Sequence, residues 1–220
     1  MRCKYCHNPE TWSFDDAKFT VSAKDAFNKA YKYKNYWRKN GKPNGGITVS
    51  GGEPLLQIDF VTEFFKYAKE KGVHTTLDSS GSAFTREEPF FSKFNELMKY
   101  TDLVMLDLKQ TDTEKHKELT GRTNENILDM AKYLSDIGKD MWIRRVLVPN
   151  LTNDDKELNN LYDFISSLKT VKKVEILPYH TLGIFKWENL GIKYPLEGYK
   201  PPTKEEVEKA EKIRRYSYQP

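Results

Sequence analysis

Two cysteines stand near the start of the chain, in Cys3-Lys4-Tyr5-Cys6-His7-Asn8-Pro9. Thiolates at this spacing do one of three kinds of chemistry. They can form half of a zinc knuckle, but no second Cys/His pair lies at ligand spacing. They can form a thioredoxin-like redox pair, but that pair needs a preceding strand to present it. They can ligate an iron–sulfur cluster, which takes at least three protein thiolates in the [4Fe–4S] case, while this chain has two cysteines. Spacing alone leaves all three open.

Four further polar groups each follow a short apolar run: Gly51-Gly52-Glu53, Asp78-Ser79-Ser80-Gly81, Asp107-Leu108-Lys109, and His180. Taken singly, each reads as a turn, because turns favour Gly, Asp and Ser. Taken together they suit one polar ligand. Gly51 and Gly52 allow close backbone approach, Glu53 is an anion beside them, and Lys109 is a point cation suited to a carboxylate. Asp107 and Lys109 are two apart, so on an extended strand they share a face. Arg144 opens toward the same region.

The elements that must position these groups alternate strictly. Helical patterns cover 22–40 (Ser22 as N-cap, Asp25 three residues on), 58–71, 87–100, 127–137 and 158–168. A closing helix begins at Thr203, which forms a capping box with Glu206. Strand-like runs cover 47–50, 73–77, 103–106, 142–148 and 174–177, the third wholly apolar as in a strand buried on both faces. This alternation means βαβ units and a parallel sheet. In such folds ligands bind at the carboxyl ends of the strands, where the four polar groups fall.

Composition sets the outer limits. The chain has 220 residues, 13% of them aromatic, and a net charge of +4. That supports a packed core over disorder, and the length favours a single domain, residues 1–220. There is no apolar run of ~18 residues for a membrane span and no secretory leader. Two cysteines make no disulfide scaffold, which points to a reducing cytoplasm. Lysines interleave with acids, as in KEEVEKAEKIRR near the end, and read as a solvated helix face, not a nucleic-acid surface.

Several segments carry a resemblance. CKYCHNP, SGGEP (50–54), LDSSG (77–81), TDLVMLDLKQ (101–110), WIRRVLVP (142–149), ILPYHTLG (176–183) and GYKPP (198–202) occur in the order seen in the glycyl-radical-enzyme activases that act on pyruvate formate-lyase. These are radical S-adenosylmethionine (SAM) enzymes. The resemblance spans nearly the whole chain. It implies an α/β fold, a partial (βα)6 TIM-like barrel, here lacking its first strand. The family's cluster motif is CxxxCxxC. Cys3 and Cys6 match its second and third cysteines, and the first would fall two residues before Met1. The expectation is therefore a fragment that starts late. The alternatives are a cluster-free SAM- or lyase-binding protein on the same scaffold, or a CxxC zinc or redox module.

The resemblance also implies the chemistry. A [4Fe–4S] cluster held by Cys3, Cys6 and a third thiolate would bind SAM. Reductive cleavage would give a 5′-deoxyadenosyl radical that takes a hydrogen from a backbone glycine of pyruvate formate-lyase. SAM contacts are expected at Tyr5, Cys6, His7, Gly51, Gly52, Glu53, Asp78, Asp107, Leu108, Lys109, Arg144 and His180. Asp78, Asp107 and the Met105 carbonyl would hold a monovalent cation. Reduced flavodoxin or ferredoxin is the expected electron donor, and a monomer the expected state. Between Cys6 and Gly51 lie 44 residues without a cysteine, so the cysteine-rich insert of many other activases is missing.

Overall fold

The structure is a computed structural model and describes residues 1–13, 17, 19–39 and 42–217. Five parallel strands pair in sequence order: Gly46–Val49 (β1), His74–Ser79 (β2), Leu103–Asp107 (β3), Met141–Leu147 (β4) and Val171–Pro178 (β5). A doubly wound sheet would reverse its order at a switch point; this one does not, as in an arc of a βα barrel. Register places Asp78 beside Met105 and Asp107 beside Arg144. Among the described residues no strand lies on the outer edge of β1.

Eight α-helices accompany the strands among the described residues. They are Ala23–Tyr31 (α1), Ile58–Glu70 (α2), Phe90–Lys99 (α3), Thr113–Thr120 (α4), Glu125–Asp136 (α5), Asp155–Ser166 (α6), Ile184–Asn189 (α7) and Lys204–Ser217 (α8). Their apolar faces form the main core, which runs from Ala23 and Phe27 through Phe65, Phe94 and Leu134 to Ala210. Strand β4 shows the alternation that organises the site. Met141, Ile143, Arg145 and Leu147 are fully buried toward the helices, while Arg144 and Val146 face the strand-end cavity. A second small cluster of Val148, Tyr179, Trp187, Tyr194 and Leu196 packs Tyr5, Cys6 and Trp12.

The first predicted helix is too long. Ser22 caps α1 as expected, accepting from the Asp25 amide at 3.1 Å. The helix stops at Tyr31 because its buried face stops: Ala23 and Phe27 are covered, but Tyr33 and Tyr36 stand exposed. A 3-10 turn (Lys34–Trp37) and a hairpin of Arg38–Lys39 with Lys42–Pro43 follow. Asn40 lies outside the described residues. Helices α4 and α7 went unpredicted. α4 has a weak apolar period, but its caps were legible: Asp112 accepts from the Lys115 amide, and Gly121 ends the helix at φ +77°.

Candidate active site

A cavity of about 750 Å³ opens at the carboxyl ends of the strands. The N-terminal loop crosses it, held by unpaired carbonyls at the end of α4: the Arg2 amide donates to Thr120 O and the Lys4 amide to Leu119 O, both at 2.9 Å. A tight turn, Cys6 N to Cys3 O at 3.0 Å, brings both thiols to the cavity wall. Cys3 is buried and Cys6 half-buried, and neither is in a disulfide. Burial pushes the Cys6 thiol pKa up. Tyr5 between them is deeply placed; its Oη is buried without a partner, and burial pushes its phenol pKa up.

The opposite wall is a charge network built on adjacent strand ends. Arg144 Nε donates to Asp107 Oδ1 at 3.1 Å, and its terminal nitrogen Nη2 donates to Asp78. Ser50 Oγ donates to Asp78 Oδ2 at 3.0 Å. Burial raises the Asp78 carboxyl pKa, and Arg144 offsets it only in part. Lys109 is 8% exposed and pairs with Asp107 Oδ2 at 3.1 Å, with its ammonium 5.5 Å from the Tyr5 ring centroid. Burial disfavours the Lys109 charge, but Asp107, Tyr5 and Cys3 together outweigh it and hold the pKa well above the usual lysine value.

Gly51 and Gly52 form the lip. Gly51 has φ +151°, and a Cβ there would meet nothing within 4 Å, so its side opens into the cavity. A Cβ on Gly52 would lie 2.9 Å from Thr11 Oγ1. Glu53 lines the cavity with both oxygens engaged. Oε1 accepts from Ser79 Oγ at 2.6 Å and the Leu55 amide at 3.2 Å, and Oε2 accepts from the Ser80 amide at 3.1 Å and from Ser80 Oγ. It therefore ties the Gly-Gly turn to the end of β2. On the far side the His7 and His180 rings meet edge-on at 5.0 Å. Burial, then the neighbouring His180, lowers the His7 pKa.

Cys3, Tyr5, Cys6, His7, Gly51, Gly52, Glu53, Asp78, Asp107, Lys109, Arg144 and His180 all line this one cavity. Leu108 does not, contrary to expectation. Its side chain is 1% exposed in the core, and its amide donates to Arg144 O at 3.0 Å. Alternation turns it away from its two neighbours. Met105 does not line the cavity either, and Arg144 bridges Asp78 and Asp107. Among the described residues no group of three or more His, Cys, Asp or Glu is arranged to hold a metal ion. Ser50, Thr11 and Arg122 also line the cavity and were missed. Ser50 was legible in SGGEP; Thr11 sits in the 3-10 turn Pro9–Trp12 and Arg122 on a loop, and their approach leaves no sequence signal.

Residues 1–164 match the Radical SAM superfamily. The chain belongs to that superfamily, whose enzymes use SAM and a [4Fe–4S] cluster. Its fold is similar to a radical SAM methyltransferase from Sphaerobacter thermophilus (TM-score 0.70, 15% identity, 99% of this chain and 60% of that one). It is also similar to a domain of pyruvate-formate lyase-activating enzyme from Bacteroides vulgatus (TM-score 0.64, 24% identity, 79% of this chain and 94% of that one). The pyruvate formate-lyase-activating enzyme of Listeria monocytogenes serovar 1/2a is 50% identical over 213 residues, 97% of this chain and 84% of the relative. That of Streptococcus mutans is 50% identical over 214 residues, 97% of this chain and 80% of the relative. At this identity and coverage the chain belongs to the pyruvate formate-lyase-activating enzyme family. The two alternatives to an activase are not borne out by these likenesses.

Proposed function

We propose that this chain activates pyruvate formate-lyase by installing a glycyl radical on it. The observation that carries this is one cavity with two free thiols on one wall and the Asp78–Arg144–Asp107–Lys109 network on the other. Soft thiolates are the right donors for an iron–sulfur cluster, and Cys3 and Cys6 occupy two of the family's three cysteine positions. The open side of Gly51 leaves the cradle that a close-fitting ligand needs. When bound, the reduced cluster supplies the electron that cleaves SAM, so that hydrogen can be taken from the lyase glycine.

The chain's own residues bind, orient and shield. Cys3 and Cys6 would supply two of the three thiolates that hold the cluster, giving up their protons as they bind. Lys109 offers a nearly desolvated cation to the methionyl carboxylate. The Gly51–Gly52 backbone admits the ammonium group, and Glu53 keeps that turn in register. Tyr5, His7 and His180 enclose the side proposed for adenine, and Arg144 with Asp78 and Asp107 fixes the floor. A monovalent cation would have to share Asp78 and Asp107 with Arg144.

The same reading has a single domain over 1–220, supported by a core that joins Ala23 to Ala210, and a monomer. It has reduced flavodoxin or ferredoxin as donor and the cytoplasm as compartment, in keeping with two free thiols. Among the described residues no helix is long and apolar enough to cross a membrane. The test is anaerobic incubation of the chain, with the third cysteine supplied upstream of Cys3 and iron reconstituted, with SAM, a reductant and purified pyruvate formate-lyase. A glycyl-radical doublet in the lyase's electron paramagnetic resonance (EPR) spectrum is expected. A reconstituted, SAM-binding protein that never yields the doublet would overturn the reading.

A further inference from the structure

The loop that carries Cys6 is gripped from behind by a segment near the other end of the chain. Beyond β5 the chain turns through His180–Gly183 into α7. Trp187 Nε1 donates to the Cys6 carbonyl at 2.8 Å. Lys186 Nζ donates to Asn8 Oδ1 at 2.6 Å and pairs with Glu10 Oε1 at 2.7 Å. The Trp187 ring stands edge-on to Trp12, with centroids 4.9 Å apart, and Tyr194 packs on it at 5.3 Å. Gly183 approaches so closely that a Cβ would fall 2.9 Å from His7 Nδ1. These contacts run from a five-residue stretch, 183–187, onto residues 6–12.

On that side, among the described residues, Cys6 is otherwise bonded by the Asn8 backbone and the Trp12 side chain, both within the same loop. Its internal backbone bonds are Cys6 N to Cys3 O and Thr11 N to Asn8 O, and short irregular segments left to themselves sample many conformations. Trp187 is 2% exposed, and neither it nor Lys186 lines the cavity, so neither touches what the cavity binds.

We infer that Trp187 and Lys186 are positioning residues for Cys6. They fix the carbonyl and the flanking turn, so that the thiol faces the cavity before any cofactor arrives. Part of the ordering that ligand binding requires is then already done in the free protein. The identity of what Cys6 binds rests on the function proposed above; the clamp itself does not.

The test is therefore made first on the cluster-free full chain. Iodoacetamide alkylation is followed at each cysteine by peptide mass spectrometry, which separates Cys3 from Cys6 after tryptic cleavage at Lys4. Trp187→Phe keeps the ring packing and removes the donor. Lys186→Met keeps the stem and removes the charge. Each should speed Cys6 alkylation by about fivefold, the size of one ordinary hydrogen bond. Lys186→Arg should return the rate to the parental value. Ile165→Val, a truncation on the buried face of α6, should lower the thermal midpoint and leave the Cys6 rate alone. With the third cysteine supplied upstream of Cys3 and iron reconstituted, both clamp variants should lose iron to a chelator several times faster than the parent carrying the same addition.

Parental Cys6 rates in both clamp variants would overturn the inference. So would an equal acceleration by Ile165→Val, which would show a merely global effect. If Trp187→Phe fails to fold, Lys186→Met decides, since its side chain is partly exposed. A parent that takes up no iron even with the third cysteine supplied would count against the proposed function, and the alkylation rates would still judge the clamp.

Discussion

Arg144 Nε donates to Asp107 Oδ1 at 3.1 Å, across neighbouring strands at matched register. The same guanidinium also donates to Asp78, one strand further on. One cation thus holds together two carboxylates that would otherwise repel, at the floor of the cavity. Arg144→Ala should leave both acids underneutralised. SAM affinity should fall at least tenfold, and apo stability by about 1–3 kcal/mol. Denaturant titration and calorimetry read the two effects separately, and Arg144→Lys should rescue little, because a point charge cannot fork.

Asp78 gives a pH signature. Burial raises its folded carboxyl above the usual value of 3.8, so the folded protein keeps a proton that the unfolded chain has released. Between the unfolded and folded values the native state binds more protons, so stability falls as pH rises through that window. Asp78→Asn removes this penalty. From pH 4 toward neutrality its unfolding free energy should gain steadily on the parent's, then run parallel. SAM affinity should drop in the same variant. A parent that gains stability relative to Asp78→Asn over this range would contradict the sign.

Gly52→Ala tests the lip. The new Cβ would press on Thr11 Oγ1 at 2.9 Å and on Thr11 Cβ and O at 3.1 Å. The turn Pro9–Trp12 must then move and take the cysteine loop with it. A loss of about 1–3 kcal/mol is expected, with weaker SAM binding. Thr11→Gly should restore part of both, since it removes the two side-chain contacts and leaves the carbonyl one. Gly51→Val should fold less well and lose SAM binding, because φ +151° disfavours a β-branched residue whose side chain would occupy the cavity.

Arg145 sits on the other face of β4, fully buried against Glu157 of α6 at 3.2 Å. Glu157 also accepts from the Thr111 amide at 2.6 Å, and Arg145 donates to Gln110 Oε1 at 3.0 Å. The pair therefore anchors the loop that follows Lys109. Arg145→Met should cost about 3–5 kcal/mol, as expected when one member of a buried pair is left charged. Adding Glu157→Gln, which keeps an acceptor for Thr111, should recover more than half. A double variant no more stable than the single one would refute this role.

Much of this was legible in the sequence. Strand alternation and the polar residues after each strand placed Gly51, Glu53, Asp78, Asp107, Lys109 and His180 at one end of the sheet, where all six now line one cavity. Period-2 logic separates Arg144 from Arg145 and Lys109 from Leu108, yet Leu108 was carried into the site with its neighbours. What was not legible depends on tertiary contact. Nothing local says that Trp187 will meet the Cys6 carbonyl, or that helix α1 will run out of surface to bury at Tyr31. Spacing could not choose among the chemistries of Cys3 and Cys6; the company they keep in the cavity narrows it.

The most direct measurement is SAM titration calorimetry, under anaerobic conditions, on the iron-reconstituted chain with the third cysteine supplied upstream of Cys3 and on its Lys109→Ala variant, with iron analysis of both. Lys109 is a nearly buried cation on the cavity wall, so its removal should weaken SAM binding by about tenfold to a hundredfold, the size of one charge-assisted hydrogen bond. Iron content should stay the same. Lys93→Ala, which breaks an exposed pair with Asp59, should bind like the parent. If Lys109→Ala binds SAM as tightly as the parent, the strand-end residues do not form the SAM site, and the roles given to Asp78, Asp107, Lys109 and Arg144 fall with it.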